Sequence, residues 1–206
     1  ALQNSPDPYA HWAAARLSAT MVASLNIVLQ DSKAPDKYQG YQNVAIESLG
    51  TALQSLTSVV GGNDKILASR AAAALGESAL ERGVQSDDAP GKNAAKVAAQ
   101  WYEKAVALNP GELSYDESLI QAFHVAGDNT SAKSALSDML AKFSLDPEAM
   151  RNAARFTLLT ATNSVDKTLA AKLAVSAFLL AQTSTTTSTP TFWHAGITAA
   201  RCLIAA

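Results

Sequence analysis

Charge is scarce in this chain: 17% of its 206 residues are Asp, Glu, Lys or Arg, against roughly 25% in ordinary soluble domains. The two signs nearly cancel, 18 acidic against 16 basic, for a formal net charge of −2. Such a balance supplies no general pull toward nucleic acid or an anionic membrane. Cysteine is almost missing. The single Cys202 excludes an intramolecular disulfide framework and any multi-cysteine zinc site, and is expected to pack as a small buried hydrophobe. The three histidines lie far apart in sequence, and none belongs to a His-Glu-x2-His or Glu-x2-His pair. Long hydrophobic runs are missing too, since the stretch 21–29 is broken by Ser24 and Asn26. No segment is long enough to cross a membrane as a helix.

Catalytic constellations are equally thin. Gly61-Gly62 has no preceding strand and reads as a turn, not a phosphate cradle. Glu77, Glu81, Glu112 and Glu117 are scattered, without the facing carboxylates of glycoside or acid–base chemistry. His124 and Asp128 are four apart, but Gly127 ends that helix, so the histidine is read as a solvated or capping residue. The expectation is a protein with no metal, no cofactor and no enzymatic activity; an undetected helical enzyme is the remaining alternative of that class.

What is present is apolar periodicity with regular punctuation. Hydrophobic residues make up 48% of the chain, enough for a sizeable core in one domain or one short repeat array. Asp7-Pro8, Asp146-Pro147 and Thr189-Pro190 each put a capping residue before a proline suited to the first helical position. Ser114 and Glu117 have the spacing of a capping box. Gly61-Gly62, Gly83, Asn109-Pro110-Gly111 and Gly127-Asp128 mark stops. Between these signals apolar residues recur at three- and four-residue spacing, and strand-like alternation is essentially absent. The sequence therefore predicts an all-α chain of nine helices, at about 8–29, 38–60, 64–82, 91–108, 113–126, 129–143, 147–161, 165–182 and 190–205. Short connections favour antiparallel neighbours.

Two patterns alternate along these helices. A small-large-small spacing, which lets helices approach closely, occurs at Ala45-x3-Leu49-x2-Ala52, Ala98-x3-Tyr102-x2-Ala105, Ala132-x3-Leu136-x2-Met139 and Ala170-x3-Ala174-x2-Ala177, on the even-numbered helices. The odd-numbered ones carry Leu75-Gly76-x2-Ala79, Leu119-Ile120-x2-Phe123, Ala153-Ala154-x2-Thr157 and Ala195-Gly196-x2-Ala199. One repeated hairpin explains both. With Pro110 five residues after Ala105 and Gly127 between Phe123 and Ala132, the chain resembles the tetratricopeptide repeat. The resemblance covers hairpins at about 8–60, 64–108, 113–143 and 147–182 and a final helix at 190–205, in a single domain spanning 1–206. Insertions around 30–40 and 86–91 depart from the family's spacing. An irregular bundle of alanine-rich helices is the competing expectation.

The resemblance implies an α-solenoid of antiparallel hairpins whose first helices line a concave face that reads a peptide or partner helix. In this register that face includes Glu117, Gln121, His124, Glu148, Arg151 and Arg155, a surface of mixed sign. The terminal helices are poor in charge, with Trp12, Leu25 and Leu29 at one end and Trp193, Ile197, Leu203 and Ile204 at the other. Trp12 and Trp193 are expected to anchor packing. Two apolar ends invite end-to-end stacking into rings or filaments, so the leading expectation is a self-associating structural subunit, with a monomeric adaptor holding another protein in its groove as the alternative. The weakly charged surface, rich in Ala, Ser, Thr and Asn, suits an extracytoplasmic setting or a subunit covered in an assembly. A start at Ala1 implies a removed signal peptide or a piece of a longer chain. Asn129-Thr130-Ser131 fits a glycosylation sequon, and Thr185, Thr186 and Thr187 lie in a low-complexity stretch read as a polar loop or an O-glycosylated linker.

Overall fold

A computed structural model describes residues 10, 12–14, 17–18, 20–21, 37–84, 88–183 and 189–205. All of its regular secondary structure among these residues is helical, as the sequence predicts. The elements are α1 (Lys37–Val60), α2 (Lys65–Val84), α3 (Ala89–Leu108), α4 (Leu113–Val125), α5 (Asn129–Lys142), α6 (Pro147–Leu159), α7 (Ser164–Thr183) and α8 (Thr189–Ala205). The described residues between 10 and 21 are helical as well, where the first helix is predicted. Asp7-Pro8, Leu25, Leu29 and Thr185 to Thr187 lie outside the described residues.

The chain divides into two compact units, Ala1–Asn129 and Thr130–Ala206. Packing within each is serial. In the first, α1 lies against α2, α2 against α3 and α3 against α4, and α2 also meets α4. In the second, α6 lies against α7, α7 against α8, and α6 also meets α8.

Small side chains make this possible. Every described residue of the small-large-small spacing is buried: Ala45, Ala52, Ala98, Tyr102, Ala105, Ala132, Leu136, Met139, Ala170, Ala174 and Ala177. The other pattern is nearly as well covered, with only Phe123 and Gly196 half-buried. The closest approach joins the two patterns. A Cβ placed on Gly76 of α2 would stand 3.0 Å from the ring of Tyr102 on α3, so the phenol rests directly on backbone. Gly196 of α8 stands in a similar way against Phe178 of α7, at 3.3 Å.

Helix ends follow local chemistry. Asp146 Oδ1 accepts from the Glu148 and Ala149 amides at 2.7 and 3.2 Å ahead of Pro147, satisfying donors that the helix cannot. Asp88 Oδ1 does the same for Gly91 at 2.9 Å, so α3 begins at Ala89, two residues before the predicted start, and part of the expected insertion is helical. Gly127, at φ +80°, closes α4. Its amide donates to His124 and that of Asp128 to Phe123, both at 2.9 Å, the paired bonds of a Schellman turn. The predicted capping box does not form. The residue preceding α4 is Glu112, and Ser114 Oγ donates to the Glu112 carboxylate at 2.8 Å instead of capping the helix.

Two glycines set up a direct test of the packing. Gly50 faces open space, so Gly50→Ala gains helix propensity and stabilises the protein by about 0.5–1 kcal/mol. Gly76→Ala forces a methyl into the buried Tyr102 ring and destabilises by about 1–3 kcal/mol. Urea denaturation of the two variants reads the opposite signs.

Candidate functional site

The unit of residues 1–129 contains a cavity of about 600 Å³. Its walls come from Trp12, Leu56 and Val59 of α1, one face of α2, and Ser114, Tyr115, Ser118 and Gln121 of α4, with Tyr102 of α3 also lining it. The α2 face consists of Leu67, Arg70, Ala71, Ala73, Ala74, Glu77 and Leu80. Matching Leu75-Gly76 to Leu119-Ile120 carries Arg70, Ala71, Ala74 and Glu77 of α2 onto Ser114, Tyr115, Ser118 and Gln121 of α4, and all eight line the cavity. The positions matched in this way on α2 and α4 thus face one groove.

The groove is apolar with a few placed polar groups, the usual composition of a binding site. Arg70 and Glu77 lie seven residues apart on α2, about 10 Å along the helix, and each engages neighbours within the chain. Tyr102 is buried, and its phenol is pushed up to about 12, first by burial and further by the carboxylates of Glu77 and Glu81; a hydrogen bond with Ser118 opposes the shift. Tyr115 Oη lies 3.5 Å from the buried Ser69 Oγ. Among the described residues, those that line it include no histidine or cysteine. Among the described residues no group of three or more His, Cys, Asp or Glu is placed to hold a metal ion.

Of the residues predicted for a concave face, Gln121 lines the groove. On the same helix His124 is exposed, with Nδ1 3.3 Å from Asn129 Oδ1, and Glu117 is half-buried. In the second unit Glu148 and Arg151 are bound to each other at 2.9 Å, Arg151 also donates to Asn152, and Arg155 is exposed. Of the residues assigned to the chain ends, Ile197, Leu203 and Ile204 are exposed. The Trp193 side chain lies outside the described residues. Trp12, expected as a packing anchor, is 37% exposed and lines the groove. Asn129 is exposed at the first turn of α5, and Cys202 is fully buried, which raises its thiol above the ordinary value.

The sequence reading missed Arg70, Glu77, Tyr115 and Ser118. A signal lay in the spacing: shifting Gln121 by the Leu119-to-Leu75 offset lands on Glu77. Compared with known proteins, the chain matches no family model, no curated protein and no solved structure.

Tyr102 gives the site a pH signature. Its folded value lies above the ordinary 10.0, so the native state keeps a proton that the unfolded chain releases. The contribution of the neutral phenol is complete below pH 10 and is lost as pH rises through about 12. Tyr102→Phe loses about 1 kcal/mol at neutral pH with the Ser118 hydrogen bond and flattens the alkaline fall in stability. Denaturation midpoints across that window check both effects.

Proposed function

We propose that the chain is a non-enzymatic protein-interaction module built of helical hairpins resembling tetratricopeptide repeats, and that its groove in residues 1–129 holds an apolar segment of a protein partner. The observation that supports this most directly is the groove itself, in which the successive first helices α2 and α4 present register-equivalent residues beside an aromatic and an arginine. Buried aromatic and Arg anchors dominate the energetics of protein interfaces. The alanines of α2 keep the floor low, so a partner backbone can approach closely.

Self-association through the chain ends is a second reading. It draws on Ile197, Leu203 and Ile204, large aliphatic side chains at least half exposed on the last helix, since exposed apolar surface marks interaction sites. The weakly charged composition supports an extracytoplasmic setting.

The groove reading is tested by selecting from a random peptide library on the full chain. Enriched peptides carry several apolar residues, and Ser114→Arg/Gln121→Arg, which fills the mouth of the groove from two exposed positions, weakens them by at least about tenfold. Peptides that bind wild type and variant equally, or no enrichment at all, refute it.

A further inference from the structure

The second unit carries an apolar surface unlike any other described part of the chain. Of the described large hydrophobic residues, only Leu145, Leu159, Val165 and Ile204 are more than 70% exposed, at 81, 81, 74 and 87%. Three of these four end together. Leu159 closes α6, Val165 is the second residue of α7 and Ile204 is the penultimate residue of α8. The three helices alternate in direction. Ala154 and Leu158 late in α6 pack in one cluster with Ala170, Ala171 and Ala174 early in α7 and with Ala199 and Cys202 late in α8. The contact of Gly196 with Phe178, nearer the other end, fixes the same order. One end of this unit therefore displays Leu159, Val165 and Ile204, with the exposed Leu203 beside Ile204.

Charge separates the two units. The overall −2 hides 14 acidic against 9 basic residues in 1–129, a formal −5, and 4 acidic against 7 basic in 130–206, a formal +3. Around the apolar end the basic groups Lys167, Lys172 and Arg201 outnumber the one acidic neighbour on those helices, Asp166, whose carboxylate accepts from Asn163 Nδ2 at 3.2 Å. The groove, for its part, is apolar and carries Arg70 and Glu77 within it, with Glu81 one turn further along α2 and Glu112 beside Ser114, so carboxylates outnumber the one arginine around it.

We infer that the occupant of the groove is a second copy of this chain, which enters with the apolar, basic end formed by Leu159, Val165 and Ile204. The inference rests on the groove reading above and names its partner. Pairing of this end with itself would set Lys172 and Arg201 of one copy near those of the other, a like-charge contact that opposes association. Pairing with the acidic unit joins opposite charges and covers two apolar surfaces at once. Because the two surfaces differ, the contact is heterologous and propagates as a ring or an open filament.

Complementation tests it. Val165→Asp/Ile204→Asp spoils the inserting end and Ser114→Arg/Gln121→Arg the receiving groove, all at exposed positions, with circular dichroism confirming that both variants fold. In light scattering from about 10 µM to about 1 mM, wild type grows in mass with concentration and each variant alone associates at least about tenfold more weakly. Raising salt from about 50 to about 500 mM weakens wild-type association. Mixing the two variants restores one intact end and one intact groove, and yields a heterodimer. A mixture that stays monomeric, or a variant that associates like wild type, overturns the inference. So does wild type that is monomeric throughout, or an end whose substitution alters only binding to anionic lipid vesicles. If wild type is monomeric while selected peptides still occupy the groove, the second copy is refuted and the groove stands. If neither peptides nor copies engage it, the groove reading falls with it.

Discussion

Close approach of helix backbones across single methyl groups is the constraint on which this protein depends. The fully covered positions are mostly alanine, and the largest side chains with essentially no exposure are Leu56, Met139, Cys202 and Ser69. An alanine removes little apolar area from water, and each buried methylene-sized group contributes about 0.8 kcal/mol. Cohesion must come from many short contacts between well-fitted surfaces, where dispersion is gained only if no gap remains. The Gly76–Tyr102 contact shows how tightly that fit is drawn. One large ring is accommodated because the facing residue has no side chain.

This explains which parts of the fold were legible in sequence. Small residues at helical spacing can serve close packing, and the residues picked out by spacing at Ala98, Tyr102 and Ala105 are all buried. Prolines and aspartates at helix starts act on backbone groups within a few residues of themselves, so Asp146 could be read without knowing what surrounds it. Ser114 and Glu117 could not. Their spacing suits a capping box, but Glu112 competes for the serine hydroxyl and wins it at 2.8 Å, an outcome that depends on the shape of the preceding turn.

The groove was partly legible for a related reason. Gln121 emerged from the register of one helix, whereas Arg70 and Glu77 required that register to be carried to the preceding hairpin. Trp12 was read as a packing anchor because large aromatics dominate burial on average; at 37% exposure it is mostly covered, and its open part lines the groove. Whether one particular ring is covered depends on the helices beside it, and here those leave an opening. The uneven division of charge was likewise in the composition all along, but only the boundary between compact units near residue 129 shows where to divide the sum.

Cys202 has a consequence of its own. The only thiol in the chain is fully sealed on the inner face of α8, and nothing else in the protein competes for a thiol-directed reagent. Its alkylation at a given reagent concentration is therefore a clock for the lifting of the last helix from its neighbours, a partial opening that measurements averaged over the whole molecule would blur.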